Sequence, residues 1–169
     1  MELKEEETNN GSKAVNLATI DENDLPTDVE IDERIENVFG RKVALCLVSQ
    51  NWQYKELALK FVFRTSEKFL TRAEVGGAMP FTLCEMVDGT LMAIGLTCRD
   101  KVIKVFNLSL QLFNMVLQSS RVERDVAAVN KVRSVLKKEN LVTKFLLQSE
   151  SSNTRVTNKI HEALLDLSF

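Results

Sequence analysis

Apolar residues recur every three or four positions along most of this chain, and this spacing constrains the fold more than any other feature. Between residues 29 and 48 it is carried by Ile31, Ile35, Val43 and Leu47, a pattern typical of amphipathic helices with one buried face. The β-branched residues follow the same spacing rather than the alternation of a strand, and only 6 Gly and 2 Pro are present in 169 residues. The sequence therefore predicts an all-α fold.

The predicted helices are separated by short polar or glycine-containing turns. Gly40 is expected inside the first helix at a modest cost, Pro80 in the first turn of the third, and Asp100 as the N-cap of the fourth. The fifth is either one helix or two with a break near Asn140. The predicted spans are 29–48, 51–70, 78–96, 100–117, 122–147 and 152–167. The residues expected in the core include Leu45, Leu59, Phe61, Leu83, Leu91, Leu108, Leu112, Phe113, Leu146 and Leu164.

Charge is distributed unevenly along the chain. Residues 1–36 hold 12 acids and 3 bases, whereas residues 37–169 hold 12 acids and 19 bases. Residues 1–28 also contain few large apolar side chains, so they cannot bury enough surface to offset the entropy of ordering. We therefore expect an acidic, disordered arm over residues 1–30 and a helical body over residues 31–169. The arm is either an interaction tail or a solubilising segment.

The residues that catalysis or metal binding would need do not form a recognisable set. His161 is the only histidine, and no Ser–His–Asp or Cys–His arrangement can be assembled around it. Cys46, Cys84 and Cys98 lie in apolar runs without metal-ligand spacing, which favours buried free thiols. We expect no enzymatic activity, no metal and no cofactor. Neither a signal peptide nor a membrane-length apolar stretch is apparent, which predicts a cytoplasmic protein.

Three helix openings along the chain are alike. They begin at Asn51, Asp100 and Ser151, at separations of 49 and 51 residues. Each has a base four positions later, and these bases are Lys55, Lys104 and Arg155. The repetition predicts an α-solenoid of about three HEAT- or armadillo-like hairpins. Equivalent turns of a solenoid fall along one edge, so the three bases would form a row there, next to Trp52.

The segment FGRKVALCLVSQNWQYKELALKF resembles the first repeat of TOG domains, which are tubulin-binding HEAT arrays. RDKVIKVFNLSLQLFNMVL and SSNTRVTNKIHEALLDL are similar to later repeats of that family. The likeness is greatest to the TOG domains of MEK kinases (mitogen-activated protein kinase kinase kinases), and crescerin-type ciliary TOG domains are similar at the first turn. It covers residues 33–169 and about three repeats, where TOG arrays usually have six.

This resemblance implies that the chain is a partial TOG-like array that binds αβ-tubulin, microtubules or another acidic protein surface through its turn edge. Trp52 would supply apolar contact, and the charge would come from Lys55, Lys101, Lys104 and Arg155. A cytoskeletal or ciliary location in the cytoplasm would follow. No kinase Gly-rich loop or RING cysteine pattern is present in the 169 residues.

Two other interpretations remain open. The chain is alternatively a scaffold segment of a MEK-kinase-like signalling protein that binds another protein without contacting tubulin. It is otherwise a purely structural array in which Trp52 packs inward. We expect partial exposure of Trp52, which would argue against this last interpretation. Nucleic-acid binding is not favoured, because no zinc finger or RNA-binding aromatic motif accompanies the basic residues.

Overall fold

The computed structural model describes residues 16–71 and 80–150, together with Thr157, Asn158 and His161. All regular structure in this part of the chain is helical, which confirms the all-α prediction there. Two 3-10 turns, Leu17–Thr19 and Glu22–Asp24, come first. The α-helices that follow are α1 (Glu33–Phe39), α2 (Arg41–Val48), α3 (Trp52–Thr71), α4 (Leu83–Thr97), α5 (Ile103–Leu117), α6 (Ser120–Glu123), α7 (Val126–Lys138) and α8 (Leu141–Glu150).

Helix α4 lies at the centre of the packing. It contacts α1, α3, α5 and α7, while α2 packs on α3, and α3 on α5. Its residues are largely apolar, and Met86, Leu91 and Ile94 have no exposed surface. In α5, Phe113 places its ring centroid 4.9 Å from that of Phe145 in α8. One continuous apolar core therefore joins the described helices.

Two pairs of buried hydroxyls fix α4 to its neighbours. The Ser66 and Thr90 hydroxyls share a hydrogen bond of 2.9 Å between α3 and α4. The Ser109 hydroxyl of α5 donates to Thr97 Oγ1 of α4 at 2.6 Å. Both threonines in turn bond to carbonyl groups of their own helix, at 2.7 and 2.8 Å. Because each buried hydroxyl has a partner, the hydrogen bonds offset the cost of removing these groups from water while they join the helices.

Glycine determines the path of the chain at two places. Gly40 has φ 90° and separates α1 from α2, so the prediction of one helix through Gly40 is wrong. This backbone conformation is strained for any residue with a side chain. Gly89 in α4 lies against α1, and a Cβ there would be 2.8 Å from the Arg34 carbonyl oxygen. The absence of a side chain at Gly89 thus lets two helices approach closely.

The helix boundaries confirm some predictions and correct others. Asn140 has φ 51° between α7 and α8, so of the two alternatives for the fifth predicted helix the one with a break near Asn140 is correct, and a further break at Arg124 and Asp125, which was not predicted, separates α6 from α7. Pro80 lies outside α4, since Thr82 is the N-cap and forms a capping box with Glu85. Helix α5 begins at Ile103 rather than at position 100. The predicted helix over 152–167 lies outside the described residues, apart from Thr157, Asn158 and His161, which are helical.

The predicted core is partly correct. Leu59, Leu91, Leu112 and Phe113 are buried, while Leu45, Leu83 and Leu108 are partly buried against the core. Phe61 and Leu146 are wrong, because 41% and 40% of their surface is exposed. Leu164 lies outside the described residues.

The N-terminal segment differs, from residue 16 onward, from the expectation of a disordered arm over residues 1–30. Ile20 and Leu25 are buried in the core, at 5% and 4% exposure. The first 3-10 turn packs on α3, and Lys42 Nζ donates to the Ala18 carbonyl at 3.4 Å. Two buried aliphatic side chains therefore hold this acidic stretch against the helices. Residues 1–15 lie outside the described part of the chain.

Candidate interaction surface at the turn edge

The first turn of α3 and the turn between α4 and α5 lie side by side at one edge of the molecule. Short polar residues hold the first of these turns. The Asn51 side chain accepts from the Gln53 N–H at 3.0 Å, and the Ser49 hydroxyl accepts from the Asn51 N–H at 3.1 Å. Trp52 then opens α3 with 36% of its surface exposed. The expected partial exposure of Trp52 is therefore confirmed.

Lys55 and Asp100 join the two turns. The Lys55 ammonium lies 2.8 Å from Asp100 Oδ2, and the two side chains are only 21% and 10% exposed. Asp100 Oδ1 accepts from the Val102 N–H at 2.9 Å, just before α5 begins. One carboxylate thus both organises the start of α5 and holds a base on the first turn of α3. Lys55, predicted to face a partner, is placed in an internal ion pair.

Lys104 contacts the tryptophan across the same edge. Its Nζ lies 5.5 Å from the centroid of the Trp52 ring, which is within the range of a cation–π interaction. Lys101 and Lys104 are exposed, and Ile103 between them is 57% exposed. We call Trp52, Lys101, Ile103 and Lys104 the turn-edge patch. It combines two exposed apolar side chains with two cations.

The structure places most of the predicted site residues at the turn edge, but they make different contacts there. Trp52, Lys101 and Lys104 belong to the patch, Lys55 lies beside it in the ion pair with Asp100, and Arg155 lies outside the described residues. Ile103 was not predicted as a site residue, because apolar side chains at helical spacing are expected to face the core, whereas Ile103 is exposed at the first position of α5. The prediction that Asp100 is the N-cap of α5 is wrong, because Val102 occupies that position; Asp100 instead accepts from the Val102 N–H and pairs with Lys55, a contact that was not predicted.

A second charged cluster joins α1, α4 and the end of α7. Arg34 contacts Asp32 at 2.7 Å, Asp88 at 3.6 Å and Glu139 at 3.9 Å. Lys131 reaches the other oxygen of Asp88 at 3.2 Å. The hydrogen bond from Arg34 lowers the pKa of the Asp32 carboxyl. Every charge in this cluster has an opposite neighbour, so its role is to join helices.

Two of the three cysteines are buried as predicted, whereas Cys84 is only partly buried. Cys46 and Cys98 are fully buried, and desolvation raises the pKa of each to about 11. They are therefore neutral thiols near pH 7, which are poor nucleophiles. Within the described residues, no three His, Cys, Asp or Glu side chains converge as a metal site. No helix in the same residues is long and apolar enough to span a membrane.

Comparison of the chain with protein families, with curated proteins and with solved structures finds no match. The likeness to TOG domains therefore depends on the residues quoted above and stays a prediction.

Proposed function

We propose that the chain is a non-enzymatic, TOG-like interaction module whose turn-edge patch docks on an acidic protein surface, αβ-tubulin in the first place. The observation that carries this proposal is the exposed Trp52 ring next to the Lys104 ammonium, with Lys101 and Ile103 on the adjacent turn. Tryptophan is enriched among residues that contribute most to binding energy. Exposed cations around it would speed encounter with an acidic partner.

The order of helix contacts supports a stack of three hairpins. In one layer α4 contacts both α1 and α7. In the other, α3 contacts α5, and Phe145 of α8 contacts Phe106 and Phe113 of α5. Successive hairpins are then α1–α2 with α3, α4 with α5, and α7 with α8. This order of contacts supports the proposal of a solenoid, in which equivalent turns would share an edge.

Within this proposal the residues of the edge act in two ways. Trp52 and Ile103 bury apolar surface on the partner, while Lys101 and Lys104 provide charge. Lys55 acts indirectly, because its ion pair with Asp100 sets the spacing between the two turns that carry the patch. A charge reversal at Lys55 would therefore weaken binding by moving the patch as well as by removing a cation.

Co-sedimentation with microtubules and size-exclusion chromatography with tubulin dimers test the proposal. We expect Trp52→Ala and the double variant Lys101→Glu/Lys104→Glu each to weaken binding at least 10-fold. The loss for the double variant should shrink at high salt, where exposed charges are screened. Arg64→Glu is the matched control. Arg64 is exposed on the same helix, about 18 Å from Trp52 at 1.5 Å per residue.

Two results would contradict the proposal: unmodified protein that does not bind tubulin in either assay, or an Arg64→Glu variant that loses as much affinity as the patch variants. If tubulin does not bind but the patch variants abolish capture of a different acidic protein, the scaffold interpretation replaces the TOG-like one. The chemistry of the patch fits both partners, so the tubulin assay decides between them.

A further inference from the structure

A groove lies at the opposite end of α5 from the turn edge. It is lined by the last residues of α5 and by α6, α7 and α8, and its volume is about 1000 Å³. The apolar lining side chains that remain partly exposed are those of Leu117, Val129, Leu136 and Val142. Charged, amide and hydroxyl groups contribute much of the remaining lining. The groove is therefore amphipathic, and it suits a ligand that is amphipathic as well.

Two cations of α7 lie beside the apolar part of the groove. Arg133 and Lys137 both line it, and both are exposed. By helical spacing they flank one side of the apolar stripe that Val129, Val132 and Leu136 form on the same helix. Neither cation has an ion-pair partner among the described residues. Their charges are therefore available to a ligand in the groove.

The charged groups of the groove are unbalanced in favour of cations. Glu123 of α6 is the one acid among the lining residues that the structure describes, against two bases. Like charges one turn apart on a helix repel each other. The helix dipole favours Lys137 in the last turn of α7, but Arg133 lies before that turn. A negatively charged ligand placed across both side chains would offset their repulsion, so the groove is complementary to an acidic partner.

The shape of the wall favours a helix as this partner. Val129 and Leu136 are seven positions apart on α7, which corresponds to about 10 Å along the axis at 1.5 Å per residue. A helix laid in a groove contacts it through apolar residues at positions i, i+3 or i+4, and i+7. Carboxylates one turn apart beside that stripe would have the same rise as Arg133 and Lys137, so each could meet one cation.

We propose that this groove binds an acidic amphipathic helix of another protein. The apolar stripe of that helix packs on Val129, Leu136 and Val142, and its carboxylates pair with Arg133 and Lys137. The inference is independent of the turn-edge proposal, because none of the described lining residues belongs to the turn-edge patch. Either surface can fail to bind its partner without consequence for the other.

Selection from a displayed peptide library on the full chain tests the inference. The library consists of amphipathic helices with apolar residues at positions i, i+3 or i+4, and i+7, and with Glu, Gln or Lys at random in the flanking positions. Peptides that also bind Leu136→Gln, which places an amide in the apolar wall, are removed. We expect Glu to be enriched at least 10-fold over Lys at two flanking positions one turn apart, because the two cations attract carboxylates and repel ammonium groups.

The affinity of an enriched peptide, measured by fluorescence anisotropy, locates its binding site. Arg133→Gln/Lys137→Gln should weaken binding at least 10-fold. The matched control is Arg64→Gln/Lys68→Gln on α3, which also removes one arginine and one lysine, both exposed and four positions apart. The control should change the affinity less than twofold. Circular dichroism and urea denaturation establish that each variant keeps its fold.

Three results would overturn the inference. The first is a selection that enriches Lys or Gln at the flanking positions, or that yields no peptide able to distinguish the unmodified chain from Leu136→Gln. The second is an equal loss of affinity in the two double variants, which would mean that the peptide responds only to overall charge. The third is a loss of more than twofold in Trp52→Ala, which would place the acidic helix on the turn-edge patch.

Discussion

The interior around α4 and the turn edge between α3 and α5 use different interactions to hold the same helices together. In the interior, α3 and α5 meet α4 through fully buried apolar side chains and through the Ser66–Thr90 and Thr97–Ser109 hydroxyl pairs. At the edge, α3 reaches α5 and the turn before it through the Lys55–Asp100 ion pair and the Lys104–Trp52 contact.

This difference means that the interior contributes most of the stability of the fold, whereas the contacts at the turn edge contribute little to it. Cutting a buried aromatic side chain to Ala costs about 3–5 kcal/mol, whereas an exposed cation–π contact contributes about 0.5–1 kcal/mol. Helix α3 takes part in both regions, with its middle in the core and its first turn at the edge. Substitutions in the first turn can therefore alter the patch while the core keeps the helix in place.

The largest expected effect is in the interior. Phe113→Ala removes a ring that has no exposed surface and lies 4.9 Å from the Phe145 ring. We expect a loss of about 3–5 kcal/mol in the free energy of unfolding, because the cavity cannot be filled by neighbours. Phe61→Ala, at a position 41% exposed, should cost less than about 1 kcal/mol. Urea denaturation followed by circular dichroism measures both, and similar losses would refute the distinction.

The buried thiols give the interior a pH dependence. Desolvation raises the pKa of Cys98 from 9.0 to about 11 in the folded protein. Its contribution is fully present below pH 9 and is lost as the pH rises towards 11, because the unfolded state loses its proton first. A pKa shift of two units corresponds to a contribution on the order of 2–3 kcal/mol to the free energy of unfolding.

The thiol prediction is checked by urea denaturation at pH 7.5 and pH 10.5. Other groups titrate in this range, so the measured quantity is the difference between the unmodified chain and Cys98→Ala. We expect the unmodified chain to lose more stability than the variant over this interval. Equal losses of stability in the unmodified chain and in Cys98→Ala would show that the Cys98 thiol ionises as readily in the folded state as in the unfolded state.

At the edge, the largest expected effect is at Asp100. Asp100→Ala removes the acceptor of the Val102 N–H and leaves the partly buried Lys55 ammonium without its partner. We expect a loss of about 1–2 kcal/mol in the free energy of unfolding. Asp100→Asn keeps an oxygen for the N–H but not the charge, so it should lose about half as much in urea denaturation. Equal losses for the two variants would mean that the hydrogen bond to the Val102 N–H contributes nothing, whereas no loss in Asp100→Asn would mean that the ion pair contributes nothing.

Sequence patterns predicted the long helices well because propensity and spacing agree there. Helix α3 was expected over 51–70 and is observed at Trp52–Thr71, and the break at Asn140 was anticipated. The errors fall where one local feature outweighs periodicity. Gly40 allows a positive φ that ends α1, and the capping box of Thr82 and Glu85 starts α4 after Pro80 rather than before it.

The residues of the candidate site could be predicted from the sequence, but the contacts between them could not. The repeat alignment singled out Trp52, Lys55 and Lys104, and these residues do lie at one edge. The contact of Lys55 with Asp100 spans 45 positions, so it depends on how α3 and α5 are set against each other. Burial of Ile20 was missed for a similar reason, because single apolar residues in an acidic segment show no periodicity.

The smallest expected effect is at Lys104, and it tests whether the cation holds the tryptophan in place. Lys104→Gln removes the ammonium 5.5 Å above the ring but keeps a polar side chain of similar reach. We expect a loss of only about 0.5–1 kcal/mol in the free energy of unfolding. Trp52 is the only tryptophan, so acrylamide quenching of its fluorescence reports directly on the ring and should increase. Lys101→Gln changes the net charge equally without touching the ring, and it should leave the quenching unchanged. If Lys104→Gln instead destabilised the fold as much as Asp100→Ala, the contact between Trp52 and Lys104 would be part of the structural core. The two side chains at the centre of the turn-edge patch would then not be free to contact a partner.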